Sequence, residues 1–286
     1  VDNPLWMAIF HSVSAFCTAG ISLFATSFEG FSDQPAVLMT ITLLAWTGAL
    51  GFLVLSETFD MVARRGHGLG FTTRIALIVT AAYTIVGTMI LLTVEPSIRA
   101  LSPADQLFNA VFMTMAAGTT VGFNSVPVGT LVPAVIVVMY LIMVFGASPG
   151  GTGGGLKSST FAIMVALVIS TIRRRSRVTL LGLYIIPEKI QQASASLAFY
   201  ALIIGIAIFA LLLTESAAFD AVLFEAISAL SGVGMSLGIT SQLSDAGKWI
   251  IIALMVIGRI GILAFGIAIA TRDPRDHDPE DADVVL

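Results

Sequence analysis

Apolar segments of two different lengths alternate along this chain, and no other feature restricts its fold as strongly. Long runs occupy residues 35–59, 75–94, 131–172, 194–214 and 249–270, and short ones occupy 5–16, 107–117 and 219–230. A helix crossing a bilayer needs about 20 apolar residues, whereas runs of about 10–14 are more often re-entrant or buried. Composition agrees: 57% of residues are hydrophobic and 11% charged, with mean hydropathy +0.97. Soluble domains carry about a quarter charged residues. Lipid must therefore be the solvent for much of this surface, which predicts a multi-pass membrane protein. The net charge of -4, held largely in an acidic tail, argues against nucleic acid as a partner. One cysteine, Cys17, excludes an intrachain disulfide and reads as a small buried hydrophobe. The opening Val1-Asp2-Asn3-Pro4 has no starting Met and no basic flank. It does not read as a signal peptide, and a fragment lacking its true N-terminus is expected.

The order of segments is short, long; long, short, long; long, short, long. It reads as a repeat of span, half-span, span, with the first span absent from the first copy. Residues 1–70 form that first copy and 71–180 the next, whose second span is interrupted. Residues 181–272 form the last, and 273–286 an acidic cytoplasmic tail. Phe10-His11-Ser12-Val13-Ser14-Ala15 aligns with Phe224-Glu225-Ala226-Ile227-Ser228-Ala229, and Phe108-Asn109-Ala110-Val111 reads as a weaker middle copy. Each short segment follows a helix-start signal: Asp2-Asn3-Pro4, Ser102-Pro103-Ala104-Asp105 and Thr214-Glu215-Ser216.

Basic residues orient the chain. Arg64, Arg65, His67 and Arg74 separate two long runs, Arg173, Arg174, Arg175, Arg177 and Lys189 separate two others, and Arg272 and Arg275 follow the last. The opposite connections carry Glu29, Asp33, Glu95, Asp105, Glu215 and Asp220. Positive-inside asymmetry puts the basic loops in the cytoplasm, so every short segment enters from outside and returns there. The Arg173–Arg177 run is explained by topology alone; contact with a partner or lipid is the alternative.

A half-helix entering from outside points its C-terminus, with roughly half a negative charge, at the membrane centre. Several aimed at one axis would stabilise a dehydrated cation. The chain then returns in extended form, and its carbonyls can replace the ion's water shell. Each short segment ends in a glycine-containing stretch: Thr18-Ala19-Gly20-Ile21, Thr120-Val121-Gly122-Phe123 and Gly232-Val233-Gly234-Met235. Glycine supplies the positive φ that lets successive carbonyls face one axis. The carbonyls of Ala19, Gly20, Val121, Gly122, Val233 and Gly234 are the expected ligands of a monovalent cation. Close helix packing through small residues is the competing explanation.

The long run 131–172 exceeds one span and is broken by Gly146-Ala147-Ser148-Pro149-Gly150-Gly151-Thr152-Gly153-Gly154-Gly155. Glycine costs about 1 kcal/mol per interior helix position, so a loop or hinge is expected inside the membrane. A phosphate-binding loop is excluded, because Leu156 separates Gly155 from Lys157 and no strand precedes it. Arg259 falls near the middle of the last run. A charge there costs at least about 2.5–3.5 kcal/mol and marks function, with a structural ion pair or carbonyl contact as the alternative. Glu57, Asp60 and His11 are assigned no site; His11 has no companion ligand for a metal.

Phe10–Leu23 (FHSVSAFCTAGISL), Val121–Val126 (VGFNSV), Gly146–Thr160 (GASPGGTGGGLKSST), Ser228–Thr240 (SALSGVGMSLGIT) and Gly258–Leu263 (GRIGIL) together resemble the Trk/Ktr/HKT superfamily of potassium transporters, in particular its bacterial TrkH and KtrB membrane subunits. The resemblance runs to about Ala270. It implies an all-α membrane protein of span–pore half-helix–span units around a central pore, with extended filter segments, of which this chain has repeats two to four. It implies potassium uptake across the cell (inner or plasma) membrane, and no enzymatic activity. The glycine-rich loop would then obstruct the pore below the filter, with Gly146, Gly150, Gly151, Gly153, Gly154, Gly155, Lys157 and Arg259 as the gate. It also implies a homodimer in membrane lipid, docked on a cytosolic TrkA/KtrA-like nucleotide-binding subunit. No cofactor is implied in the chain beyond the transported potassium, or sodium. The sequence departs from the family at Gly118-Thr119-Thr120-Val121-Gly122, where an Arg-Thr-Ala-Gly-like approach is usual, and at Thr18, where Asn is usual. Fine selectivity is therefore left open. A sodium-permeable pore or a cation-coupled secondary transporter is the alternative, since such transporters also use broken helices; their repeats are usually inverted, and these run in one direction.

Overall fold

A computed structural model describes residues 3–63 and 68–261. Arg64, Arg65, His67, Arg272, Arg275 and the acidic tail lie outside the described residues. Helix α1 (Pro4–Phe16) opens the chain, and Asn3 caps it by accepting from the N–H groups of Leu5 at 3.1 Å and Trp6 at 3.3 Å. Helix α2 (Pro35–Val62) and helix α3 (Phe71–Val94) follow, each long and apolar enough to cross a membrane. Glu57 of α2 joins them by accepting from the Gly70 N–H, at the start of α3, at 2.7 Å. One helical turn, α4 (Pro96–Arg99), leads to helix α5 (Pro103–Gly118), whose start Ser102 caps through the Asp105 N–H.

Helix α6 (Pro133–Phe145) and helix α7 (Ser158–Ile172) are separated by the glycine-rich stretch, so the run 131–172 forms two helices. A two-stranded hairpin, β1 (Thr179–Leu180) and β2 (Leu183–Tyr184), leads into helix α8 (Pro187–Thr214), the third helix able to span. Helix α9 (Phe219–Ser231) and helix α10 (Asp245–Ile260) complete the described chain. Most of it is helical, as an all-α membrane protein requires.

The core is built on α5, where Phe112, Met113, Met115, Ala116 and Ala117 are fully buried, and on Phe28 and Phe123, whose rings meet at 4.9 Å. Truncating a side chain such as Phe112 to Ala would cost about 3–5 kcal/mol. Many other large apolar side chains are exposed, including Phe52 at 80%, Val62 at 74% and Phe209 at 67%, as suits a surface solvated by lipid.

Several expectations need correction. Counting back from Gly20, Gly122 and Gly234 pairs Phe112, not Phe108, with Phe10 and Phe224. Helix α5 has 16 residues against 13 in α1 and α9. The surplus at its N-terminus shifts an alignment made on the start signal by about one turn. Cys17 is exposed, because it follows Val13 and Phe16 on a face of α1 that no described residue covers. Glu215 does not cap α9, which has no side-chain cap; it turns to Ser244, the cap of α10. Helix α2 also contains a break that its composition did not announce, at Gly51 (φ 82°, ψ 169°).

Candidate ion-conduction site

The three half-helices α1, α5 and α9 end with the same backbone course. Thr18, Thr120 and Gly232 take left-handed φ values of 49°, 61° and 68°, and two residues on Gly20, Gly122 and Gly234 take 67°, 77° and 88°. The residue between them donates, in the outer two copies, to the carbonyl of the serine six before the glycine: Ala19 N to Ser14 O and Val233 N to Ser228 O, both at 2.8 Å. In the middle copy that position is Ala116, whose carbonyl accepts from the Gly122 N–H at 3.1 Å. A threonine in the left-handed region costs about 1–2 kcal/mol, which the surrounding bonds must offset at Thr18 and Thr120.

The three stretches meet. A Cβ on Gly20 would overlap the Val121 carbonyl oxygen and lie 3.7 Å from that of Val233; one on Gly122 would overlap the Val233 oxygen. Backbone therefore packs directly on backbone, and only glycine allows it. Ile21 is 62% exposed, whereas Phe123 and Met235 are buried. None of α1, α5 or α9 carries a basic residue in its last turn, so the negative ends of their dipoles are uncompensated where they converge.

A second recurring contact was missed in the sequence. A Cβ on Gly48, Gly146 or Gly258 would overlap the carbonyl oxygen of Phe16, Gly118 or Leu230 respectively. Those carbonyls lie four residues before Gly20, Gly122 and Gly234 respectively. Each of the three glycines is followed by another of positive φ, Gly51, Gly150 and Gly261. The signal was readable as Gly48-Ala49-Leu50-Gly51 and Gly258-Arg259-Ile260-Gly261, with Pro149 inserted in the middle copy.

The residue nine before Gly20, Gly122 or Gly234 holds the segment that follows that glycine. His11, 4% exposed, donates through Nδ1 to the Met7 carbonyl at 2.8 Å. Its Nε2 accepts from the Leu23 N–H at 3.2 Å and faces Ser22 Oγ at 3.0 Å. A backbone N–H can only donate, so Nε2 is the accepting nitrogen of the ring. Met113 Sδ accepts from the Ser125 N–H at 3.4 Å, and Glu225 accepts from the Thr240 hydroxyl.

The glycine-rich loop runs beneath the converging helix ends. The hydroxyls of Thr152 and Thr18 are 3.0 Å apart, and the Gly154 N–H donates to Thr120 Oγ1 at 3.0 Å. Thr152 also donates its own N–H to the Gly48 carbonyl at 3.1 Å. A Cβ on Gly151 would overlap Ala49 O, on Gly153 would lie 3.0 Å from Thr119 O, and on Gly154 2.5 Å from Ser231 O. Two cations hold the loop from below: Arg259 Nη1 donates to Thr152 O and Lys157 Nζ to Gly153 O. Of the sequence-derived candidates, Gly155 (φ 70°) lies against Val144 and Ser231, while Gly150 (φ 76°) has open space at its Cβ position. Among the described residues no cluster of His, Cys, Asp and Glu could hold a metal ion.

Comparison with known proteins places the chain in a family. A family profile described as TrkH, cation transport protein, matches residues 2–278. The Ktr system potassium uptake protein B of Vibrio alginolyticus is 34% identical over 276 residues, covering 96% of this chain and 61% of that protein. Its namesake from Bacillus subtilis is 32% identical, covering 99% of this chain and 64% of that one. The crystal structure of the potassium transporter TrkH from Vibrio parahaemolyticus superposes with a TM-score of 0.78 at 21% identity, over 94% of this chain and 58% of that one. The chain thus spans about three fifths of the length of these relatives. It belongs to the TrkH family of cation transport proteins.

Proposed function

We propose that this chain forms repeats two to four of a potassium uptake pore in the cell membrane. The carbonyls of Ala19, Gly20, Val121, Gly122, Val233 and Gly234 bind the dehydrated ion, helped by the dipoles of α1, α5 and α9. The observation that carries this reading is the backbone contact of Gly20 with Val121 and of Gly122 with Val233, all at half-helix C-termini. Simple helix packing through small residues would not require positive φ at Gly20, Gly122 and Gly234. The glycine-rich loop is the gate. Its backbone occupies the cytoplasmic side of the filter, and Arg259 and Lys157 keep it there while adding positive charge that raises the barrier to cations.

The intact transporter is read as a homodimer in the inner or plasma membrane, docked on a cytosolic nucleotide-binding subunit of the TrkA/KtrA kind. The potassium uptake named for the relatives above supports potassium as the transported ion.

The test is flux into proteoliposomes of the complete protein, with the potential clamped and no coupling ion present. Rubidium and potassium entry well above sodium entry is expected. Uptake that depends on a second ion's gradient would instead identify a coupled transporter.

A further inference from the structure

The connection between α7 and α8 has features that ion conduction does not use. Arg173, Arg174, Arg175 and Arg177 are all exposed, and residues 173–187 contain no Asp or Glu. The hairpin that follows turns at Leu181-Gly182, with φ 50° and 81°. Two positive values define the tight turn that normally takes Asn-Gly or Asp-Gly. A leucine in the first position is strained, yet Leu181 stands 50% exposed at the tip. Leu183 is 55% exposed, Tyr184 50% and Ile186 48%, and the Arg177 guanidinium lies 5.7 Å from the Tyr184 ring centre.

The hairpin packs back on the ends of α3 and α7. Leu180 packs on the cluster of Ile75, Val79 and Ala162 together with Phe71, the first residue of α3. Ile185 is buried, and its N–H donates to the Val178 carbonyl at 3.0 Å. The tip is thus anchored level with the cytoplasmic end of a spanning helix, where the bilayer interface lies.

We propose that this hairpin is an anionic-lipid contact: Leu181, Leu183 and Tyr184 enter the headgroup region while Arg173, Arg174, Arg175 and Arg177 bind lipid phosphates. The chemistry is that of an interfacial segment, with apolar and aromatic side chains beside a cationic cluster. A soluble protein partner is the less favoured occupant. The apolar residues lie at the interface instead of projecting into the cytosol, and no strained leucine is needed to meet water. The proposal is independent of the filter and gate.

The test places a bimane fluorophore on Leu183→Cys in a Cys17→Ser background of the complete protein. The protein is reconstituted in phosphatidylcholine vesicles containing either brominated phosphatidylglycerol or brominated phosphatidylcholine at equal bromine content. The glycerol lipid is expected to quench several-fold more strongly at low salt. Each arginine adds a factor of about five to anionic partition, so the preference falls as ionic strength rises. R173Q/R174Q/R175Q/R177Q should abolish it, and the salt titration decides the matter even if that variant does not fold. Equal quenching by the two lipids would overturn the proposal, and no quenching would leave the tip in water, facing a soluble partner.

Discussion

Arg259 of α10 and Lys157 at the foot of α7 hold consecutive carbonyls of the glycine-rich loop, Thr152 at 2.5 Å and Gly153 at 2.9 Å. Two elements distant in sequence thus fix one short piece of backbone against the C-terminal ends of α1 and α5. Neighbouring like charges repel, and each cation is offset by a carbonyl that accepts from it.

The first prediction concerns that clamp. A hydrogen bond from a charged donor is worth about 1.5–3 kcal/mol, so Arg259→Ala should shift the loop toward the open form by roughly ten- to a hundred-fold. Rubidium flux through the complete protein reconstituted alone should rise accordingly. Unchanged flux and unchanged gating would remove Arg259 from the mechanism. Arg259→Lys keeps a donor and should lie between the two.

A second prediction follows from the contact of Gly122 with the Val233 carbonyl. Gly122→Ala adds a left-handed strain of about 1–2 kcal/mol and a backbone overlap of about 1–3 kcal/mol. The local filter geometry should fail before the fold does. Potassium flux should fall at least tenfold and the potassium-to-sodium ratio should drop, while circular dichroism and size-exclusion elution stay unchanged. A variant that conducts with normal selectivity would refute the carbonyl filter.

The third prediction is one of pH. The Glu215 carboxylate accepts from the Ser244 hydroxyl at 2.5 Å and from the Ser244 N–H at 3.1 Å, and these bonds hold its pKa below the ordinary carboxylate range. They staple the end of α8 to the start of α10. Because the folded pKa is depressed, the staple contributes fully above the unfolded value of about 4.3. It is lost as pH falls through the lower folded value. Melting temperature should therefore decline on acidification, and Glu215→Gln should flatten that decline while lowering the melting temperature at neutral pH. Parallel slopes for the two proteins would contradict the staple.

Hydropathy made the all-helical membrane architecture legible, because lipid imposes segment length directly on sequence. The start signals at Asn3 and Ser102 were local, and both are side-chain caps in the structure. Glu215 was misread for the opposite reason: its partner, Ser244, is 29 residues away. The three glycine-containing stretches could be read as a set from their repetition, but their mutual contact depends on how the helices pack in three dimensions, which composition does not encode. The Gly51 break was hidden because the residues around it are apolar on both sides. Its cause is tertiary: a Cβ there would meet the Gly150 and Gly151 backbone.

The final prediction separates glycines that serve packing from one that does not. Gly48, Gly146 and Gly258 each bring a helix backbone onto the last turn of a half-helix. Only a missing side chain allows that approach, as in small-residue contacts between membrane helices. Alanine at any of the three must push the helix away from Phe16, Gly118 or Leu230, a cost of about 1–3 kcal/mol. Gly205 lies mid-helix in α8, is exposed, and has nothing within 4 Å of its Cβ position. There alanine removes only the glycine penalty and should stabilise by about 0.5–1 kcal/mol. Thermal unfolding in detergent should thus show opposite signs: Gly146→Ala and Gly258→Ala lower the midpoint, and Gly205→Ala raises it. If Gly258→Ala were as stable as the parent, helix α10 would not rest on the end of α9 through that glycine, and the shared geometry of the three repeats would lose its physical basis.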